Sequence, residues 1–317
     1  MSAELSDFAM GASLTIAVND EASELLPILR DLVADLERRW TRFSPDSEVS
    51  RLSAAGGHPA IVSEETERLL TCAEAARVAT AGRFNPLMLD SVISAGYDRN
   101  LLPMDGRRAS DSCRAVRSSA LGSTPEDLSI HCESGVAWLP RGFGFDPGGI
   151  GKGLAADLIA EEGLRLGAAS VMANLGGDIR VAGPPPHGPH WDIDVAPAEA
   201  AASGSAGPQR VRIALDEGGV ATSGITKRRW AGGHHLIDPS TGRPADTGIE
   251  RVTVIAAETW WAEVVATAIA VSSVADGLEL LDGLSLPGRV TLTCGEEVAS
   301  PDWAVFLVDP AEIGTRS

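Results

Sequence analysis

A glycine-rich segment around a single lysine is the first place in this sequence where residue types and spacing could do chemistry. Gly148, Gly149, Gly151 and Gly153 surround Lys152, and apolar residues at helical spacing follow. Unobstructed N–H groups at the start of a helix favour an anion, as does the helix dipole, and the lysine adds a full positive charge. The segment predicts a site for a phosphate-bearing ligand, and a glycine-rich connection with a solvated lysine is the alternative.

The segment differs from the two best-known phosphate-binding loops. In the G-x-x-x-x-G-K-[ST] loop the lysine precedes Ser or Thr, whereas Gly153 follows Lys152 here. A Rossmann fingerprint has a different glycine spacing and an acidic residue about 20 positions further on, at a strand end, which this sequence lacks. Neither type of nucleotide site is therefore predicted.

A carboxylate and a hydroxyl four residues apart form a second candidate. Glu263 and Thr267 fall on one predicted helix, over 259–271, and their spacing places them on one face. Such hard oxygens suit Mg²⁺, which takes few protein ligands and completes its coordination with phosphate oxygens and water. A solvated carboxylate and a core threonine are the alternative interpretation.

Two further segments place polar groups beside predicted strands. A pair of histidines, ending at His235, precedes a tight turn with Asp238, which offers a possible base next to a carboxylate; a structural histidine is the alternative. Thr222 could bring its hydroxyl to a ligand or form an ordinary turn. Asn174 and Asp178 flank two glycines and are interpreted as residues of that turn. The sequence has no G-x-S-x-G, no H-E-x-x-H and no nucleophilic Cys/His pair.

The elements that must position these groups are predicted from hydrophobic periodicity. The pattern alternates between helices and strands without a tandem repeat or a clear linker, which is typical of an α+β protein. Helices are predicted over 21–42, 64–81, the segment after Lys152, and 259–271. Strands are predicted at 8–18, 128–131, 136–139, 191–195, 211–215, 220–223, 252–256, 290–293 and 304–308. A polar stretch over 98–122 and a surface loop over 198–208 are also expected.

Composition and charge exclude several classes of function. The chain has 317 residues, a net charge of -18 and a pI near 4.7, so it should repel nucleic acid and anionic membranes. A phosphate ligand would then need a local basic site or a bridging cation. The four cysteines are scattered and predict no disulfide framework. No apolar run approaches the ~20 residues of a membrane span, and the first residues do not resemble a signal peptide, so a cytoplasmic protein is expected.

Seven segments, in this order, together resemble the ApbE family of FAD:protein FMN transferases. The resemblance covers residues from about Met10 to Val271. Its segments are S-P-D-S-E-V-S-R-L, R-F-N-P-L-M-L-D, D-P-G-G-I-G-K-G-L-A-A-D, N-L-G-G-D-I-R-V-A-G, A-T-S-G, H-L-I-D-P-S-T-G-R-P and A-E-V-V-A-T-A. The match implies one domain over 1–317, with two intertwined subdomains as an alternative. The implied fold is α+β, with mixed, largely antiparallel sheets and packed helices in a T-fold-like arrangement.

The resemblance implies a Mg²⁺-dependent transfer of FMN from FAD to a Ser or Thr hydroxyl of a target protein, with release of AMP. The metal would be held by Glu263, Thr267 and a backbone carbonyl in the loop at Gly149. His235 and Asp238 would act in the acid/base step or orient phosphate. The residues expected to contact FAD are Met10, Phe43, Phe84, Asn85, Pro86, Asp146, Lys152, Thr222 and Ile237. Phe43 stands where the family often has an aromatic residue against the isoalloxazine ring.

Three departures from the family pattern leave an alternative function open. Glu263 replaces an aspartate, and Mg²⁺ tolerates little geometric error. Asn85 replaces another aspartate, and Leu87-Met88 replaces Thr-Val. The alternative is a relative that binds FAD or hydrolyses it to FMN and AMP without efficient transfer to protein. A redox flavoprotein is disfavoured because the chain lacks a dinucleotide fingerprint.

Overall fold

The computed structural model describes residues 2–98, 128–195, 211–226, 228–230 and 233–308. Its strands are β1 (Ser2–Ala9), β2 (Ala12–Asn19), β3 (Ala60–Ile61), β4 (His131–Glu133), β5 (Val136–Trp138), β6 (Val171–Leu175), β7 (Asp178–Ala182), β8 (Trp191–Val195), β9 (Val211–Leu215), β10 (Gly218–Gly224), β11 (Arg229–Trp230), β12 (Gly233–His234), β13 (Ile237–Asp238), β14 (Arg243–Pro244), β15 (Ile249–Ala256), β16 (Gly288–Leu292) and β17 (Glu297–Ala299). Its helices are α1 (Leu26–Trp40), α2 (Glu48–Ala54), α3 (Glu64–Ala79), α4 (Leu89–Ser94), α5 (Gly151–Arg165), α6 (Thr259–Ala270) and α7 (Val274–Leu284). Two 3-10 helices cover Asp20–Leu25 and Pro301–Phe306.

An eight-stranded sheet forms the centre of the fold, in the order β1-β2-β6-β7-β10-β15-β16-β17. Every neighbouring pair in it is antiparallel. Helices α5 and α6 lie along the sheet, and α1 packs on α5. The predicted α+β class with largely antiparallel sheets is confirmed.

The apolar periodicity of α1 explains why this segment forms a helix against the core. Leu29, Val33, Leu36 and Trp40 repeat every three or four residues, and all are buried. Arg38 and Arg39 in the last turn suit the negative end of the helix dipole. This stripe buries the helix against the same hydrophobic cluster as α5, which carries the glycine-rich segment at its start.

Strand β15 is buried along its whole length because the sheet is covered on both faces. Val254 packs in the cluster with α6 and α7, whereas its neighbour Ile255 packs under the β8–β9 hairpin and Trp303. Successive side chains of a strand point to opposite faces, so this alternation separates a helix face from a hairpin face. The helix face is the one on which α5 and α6 bring their polar residues together.

Some predicted elements differ in the structure. The strand predicted at 8–18 is two strands joined by a turn at Met10 and Gly11, both at positive φ. The helix predicted over 21–42 is a 3-10 turn followed by α1. The strand predicted at 304–308 is mainly the 3-10 helix Pro301–Phe306, which begins with a proline and so favours a helical turn. The strand predicted at 128–131 lies later, at β4.

Two predicted segments fall wholly or mainly outside the described residues. The polar stretch over 98–122 is described only at its first residue, and the loop over 198–208 is not described. Among the residues that are described, none of the helices combines the length and the apolar character that crossing a membrane requires.

Candidate functional site

The glycine-rich turn before α5 packs directly against α6 and Phe84. Gly149 has a φ of +88°, which favours glycine. A Cβ atom there would stand 3.0 Å from the Thr267 hydroxyl oxygen and 3.4 Å from a ring carbon of Phe84. The fold therefore brings the predicted metal residues Gly149 and Thr267 together, although they are far apart in sequence.

Lys152, in the first turn of α5, forms a buried ion cluster with Asp178 and Glu263, called here the ion triad. The Lys152 ammonium lies 2.7 Å from Glu263 Oε1 and also contacts Asp178 Oδ2. The backbone N–H of Gly153 donates to Glu263 Oε2 at 2.8 Å. Asp178 is 1% exposed and Glu263 is 3% exposed, so the interpretation of Glu263 as a solvated carboxylate is wrong.

Close helix packing makes these contacts possible. A Cβ atom on Gly153 would stand 2.6 Å from the carbonyl oxygen of Thr259, at the start of α6. Asp157, one turn further along α5, accepts hydrogen bonds from the N–H groups of Thr259 and Trp260, both at 2.9 Å. The carboxylate therefore satisfies free N–H groups at the start of α6 and fixes this helix against α5.

Burial and charge shift the pKa values of Lys152 and Glu263 in a way that keeps Lys152 charged. Burial of the ammonium lowers the pKa of Lys152, but Asp178 and Glu263 outweigh it, so the pKa lies above its usual range. Burial raises the pKa of Glu263 to about 7, against the opposing effect of Lys152. The triad has one positive charge for two carboxylates, so it can accept further positive charge.

The two residues that flank the turn between β6 and β7 have different roles. Asn174 does stabilise this turn, because its side chain accepts the N–H of Gly177 at 2.9 Å. Asp178 instead reaches into the ion triad and accepts the N–H of Thr222 at 3.2 Å. Its interpretation as a turn residue alone is wrong. Met10 lies in the neighbouring β1–β2 turn, and the N–H of Gly176 donates to the carbonyl oxygen of Ser13 on β2 at 2.9 Å.

Thr222 and Ser223 on β10 point their hydroxyls to different partners. The Thr222 hydroxyl lies 3.0 Å from that of Thr253 on the next strand. The Ser223 hydroxyl lies 2.9 Å from that of Thr267, beside the ion triad. Since neighbouring side chains of a strand face opposite ways, Ser223 rather than Thr222 offers its hydroxyl to the helix face of the sheet. Thr222 contributes its backbone N–H, and a direct contact of its side chain with FAD stays a prediction.

Phe43, Tyr97 and Trp230 form an aromatic cluster at the edge of the site. Phe43 meets Tyr97 edge-on with ring centroids 5.7 Å apart, and Tyr97 stacks on Trp230 at 6.1 Å. The Arg42 guanidinium carbon lies 4.4 Å from the Phe43 centroid and 4.3 Å from the Tyr97 centroid. Ile237 packs in the same hydrophobic cluster as Tyr97. Phe43 is 38% exposed and therefore keeps a surface open to a ligand.

Asp146 connects the aromatic cluster to the glycine-rich turn. Its Oδ1 accepts the N–H of Gly148 at 3.1 Å and lies 3.6 Å from the Arg42 Nε. Its own N–H donates to the carbonyl of Pro86 at 2.8 Å, while the Asn85 side chain accepts the N–H of Leu87 at 3.0 Å. These bonds join the two loops that were predicted to contact FAD.

Phe84 supports these loops from the interior. It is only 1% exposed, and its N–H donates to the Thr80 hydroxyl at 3.1 Å. Phe84 therefore shapes the turn at Gly149 through its ring, and its direct contact with FAD stays a prediction.

His235 has an unusual environment. Its Nδ1 is buried and has no hydrogen-bond partner among the described residues. Burial first, and the charge of Arg228 second, lower the pKa of His235 to about 3. The side chain is therefore neutral at physiological pH. His234, by contrast, uses Nε2 to bond the carbonyl oxygen of Ala245 at 2.9 Å and is a structural residue.

The carboxylate of Asp238 accepts hydrogen bonds from the turn that follows it. It accepts the N–H and the hydroxyl of Ser240 at 2.8 Å and 2.7 Å, and the hydroxyl of Thr241 at 3.1 Å. These bonds are typical of an Asx turn. Asp238 thus shapes the segment that carries His235 and Ile237, and a role at the phosphate stays a prediction.

The oxygen donors near the triad fit a hard cation better than a soft one. Glu263 and Thr267 supply a carboxylate and a hydroxyl on one helix face, and the Gly149 turn packs on Thr267. Within the described ranges, no group of three or more His, Cys, Asp or Glu side chains could hold a metal by itself. A cation here would need backbone, hydroxyl or ligand oxygens to complete its coordination, which is the way Mg²⁺ is usually bound.

Several residues of the site were not predicted from the sequence. Tyr97, Trp230, Arg42 and Arg228 surround the predicted ring site, and Ser223 lies beside Thr267. One signal was available, since Tyr97 is the only tyrosine of the chain.

The sequence of the chain is similar to those of known flavin transferases. An FAD:protein FMN transferase from Klebsiella pneumoniae is 25% identical over 260 residues, which cover 78% of this chain and 76% of the relative. One from Treponema pallidum is 26% identical over 269 residues, covering 78% of this chain and 72% of the relative.

Solved structures agree on the fold. The ApbE protein from Thermotoga maritima has a TM-score of 0.81 at 23% identity, covering 98% of this chain and 100% of that chain. The flavin transferase ApbE from Vibrio cholerae has a TM-score of 0.79 at 22% identity, covering 97% and 99%. The model of the ApbE family matches residues 10–290. The chain therefore belongs to the ApbE family.

Proposed function

We propose that this protein transfers FMN from FAD to a Ser or Thr hydroxyl of a target protein and releases AMP. The observation that carries the proposal is the pairing of an aromatic cluster with a buried cationic and oxygen-rich cluster, joined by Asp146. A dinucleotide with a flat ring at one end and a pyrophosphate in its middle matches that pairing. Family membership and relatives named FAD:protein FMN transferase support it.

The reaction would be an in-line displacement at phosphorus. The acceptor hydroxyl oxygen forms a bond to the phosphorus next to riboflavin, the bond from that phosphorus to the bridging oxygen breaks, and AMP leaves with the electron pair. The hydroxyl proton passes to a base or to solvent. Because negative charge accumulates on the phosphate oxygens, positive charge must be fixed beside them before reaction. Lys152 is placed to supply part of it, held by Asp178.

We further propose Mg²⁺ as the cofactor, held by Glu263, Thr267 and a backbone carbonyl at Gly149. When bound, it would neutralise charge on the pyrophosphate. The oxygen-only donor set supports the metal assignment. The remaining positions would be filled by ligand oxygens and water, as the small number of protein donors requires.

His235 is better suited to hold a hydrogen bond than to remove a proton. A general base works best with a pKa near the working pH, whereas burial and Arg228 keep the pKa of His235 near 3. Its unpartnered Nδ1 could orient the acceptor hydroxyl or a phosphate oxygen. We therefore propose His235 as an orienting group.

A hydrolase that converts FAD to FMN and AMP is the second candidate function. It is favoured by Glu263, whose two carboxylate oxygens already receive Lys152 and the N–H of Gly153. A metal bound in a poorer geometry would weaken transfer to a protein acceptor.

The deciding experiment incubates the protein with FAD and Mg²⁺, with and without a flavin-acceptor domain. We expect AMP release that depends on the acceptor and a fluorescent acceptor band in a denaturing gel. AMP release without a fluorescent protein would establish the hydrolase instead. A fluorescent band at this protein's own mass would point to self-modification, for which Thr222, in the small-residue segment after Gly219, is the candidate acceptor.

A further inference from the structure

Arg228 and His235 face the same side of a small hairpin. In the antiparallel pair β11–β12, Arg229 lies opposite His234, and the N–H of His235 donates to the Arg228 carbonyl at 3.3 Å. Residues directly opposite each other in such a pair point to the same face. Arg228 therefore shares a face with His235, while Arg229 shares the other face with His234.

The shared face lies beside the aromatic cluster and within electrostatic reach of the ion triad. The Arg228 guanidinium carbon lies 5.9 Å from the Tyr97 ring centroid. After burial, the charge of Arg228 is the next cause of the low pKa of His235, and it also acts against the raised pKa of Lys152. Arg228 is thus close to both halves of the site.

Among the described residues, no carboxylate neutralises the positive charge at Arg228. The other cations of the site are paired, Lys152 with Asp178 and Glu263, and Arg42 with Asp146. In the part of the chain that the structure describes, Arg228 has no such ion pair. Beside it, the buried Nδ1 of His235 also lacks a hydrogen-bond partner within the described ranges. In a protein with a net charge of -18, these two groups indicate a place for an anion.

We propose that Arg228 binds the phosphate attached to riboflavin and thereby selects phosphorylated flavins over riboflavin. This inference rests on the proposed flavin site. A guanidinium can hold a phosphate through two parallel hydrogen bonds, which an ammonium cannot do. The position next to Tyr97 suits the phosphate nearest the flavin ring, which is the phosphate that would be transferred.

The test measures binding rather than turnover. Wild type and variants are titrated with FMN, FAD and riboflavin in EDTA, using flavin fluorescence anisotropy. We expect Arg228→Gln to weaken the binding of FMN and FAD about 10- to 100-fold, the range for losing hydrogen bonds to a charged group. The affinity for riboflavin should change less than about twofold. Arg229→Gln is the matched control on the opposite face and should leave all three affinities unchanged.

Arg228→Lys keeps the charge and provides a second measurement if Arg228→Gln does not fold. We expect it to weaken the binding of FMN several-fold, because the paired hydrogen bonds are lost, and to leave riboflavin binding unchanged. Equal losses for riboflavin and FMN would show that Arg228 only packs against Tyr97. Unchanged FMN affinity in both variants, or a wild type that binds no flavin, would also overturn the inference. Wild type that binds FMN through Arg228 but transfers nothing would contradict only the proposed function.

Discussion

The ion triad and the aromatic cluster are held by different kinds of structure. Lys152, Asp178 and Glu263 stand on α5, β7 and α6, which are regular elements packed into the core. Phe43 follows α1, and Tyr97 follows α4, so both lie in connections, while Trp230 lies on the short strand β11. Regular elements fix side chains more firmly than loops do.

This difference separates two tasks. Charge stabilisation at phosphorus requires groups fixed before the reaction, and the triad satisfies that requirement because each member is buried against another. Ring recognition tolerates more movement, since aromatic pairs are favourable over a range of centroid distances of about 4.5–7 Å. We therefore expect substitutions in the triad to affect catalysis and stability strongly, and substitutions in the aromatic cluster to affect mainly flavin affinity.

The largest effect is expected for Glu263→Ala. It removes a proposed metal ligand and the partner of Lys152, so the rate of FMN transfer should fall by roughly 10²- to 10³-fold. Initial rates of AMP release across a Mg²⁺ titration provide the measurement, with Glu263→Asp as the matched variant that restores the family residue. Full Mg²⁺-dependent activity in Glu263→Ala would refute the metal assignment.

Lys152→Met should destabilise the fold by about 3–5 kcal/mol, because it leaves two buried carboxylates without a cation. The folded-state pKa of Glu263 is about 7, above its ordinary value of 4.5, so its contribution to stability is present below pH 4.5 and is lost as pH rises through 7. Without Lys152 this loss should become larger. Urea unfolding at pH 5 and pH 8 measures it, with the exposed Arg51→Met as control. Equal unfolding free energies for wild type and Lys152→Met would mean that the triad is not a stability determinant.

A smaller effect is expected for Phe43→Ala. Loss of one aromatic contact of ~1 kcal/mol should weaken FAD binding about fivefold. The unfolding midpoint should barely move because Phe43 is 38% exposed. Phe8→Ala, at 47% exposure on β1, is the matched control. If Phe43→Ala left FAD affinity intact, the ring would bind elsewhere.

A pH-dependent effect on stability is expected for His235. Its folded pKa of about 3 lies below the ordinary histidine value of 6.5, so the unfolded chain binds a proton first as pH falls. Stability should decline below pH 6.5 by less than ~1.4 kcal/mol per pH unit on this account. Unfolding free energies from pH 7 to pH 5 should therefore fall less steeply for His235→Gln than for wild type. Parallel curves would place His235 in a solvated environment.

The sequence predicted the residues of the ion triad unevenly. The spacing of Glu263 and Thr267 indicated one helix face, and resemblance connected them to Gly149. Asp178 could not be assigned, because its role depends on β7 lying beside β10 and α5, which is a tertiary contact. A residue next to a glycine turn is most simply interpreted as part of it, and only Asn174 followed that rule.

The aromatic cluster shows a different limit. Phe43 was predicted by resemblance, but Tyr97 and Trp230 come from segments without a periodic pattern and meet only in the fold. The missed turn at Met10 has a similar cause, since a non-glycine residue at positive φ carries little sequence signal. Local patterns predicted α1 and α6 well because burial of a helical stripe is a local property.

The absence of a side chain at Gly153 determines how closely α5 and α6 can approach each other. A methyl group there would stand 2.6 Å from the Thr259 carbonyl oxygen, whereas nonbonded atoms prefer about 3.5 Å. Relief would require α5 and α6 to separate by nearly the length of that mismatch. The 2.7 Å contact between Lys152 and Glu263 spans the same gap and would open with it. The alignment of Lys152 with Glu263 therefore depends on position 153 carrying a hydrogen atom rather than a methyl group.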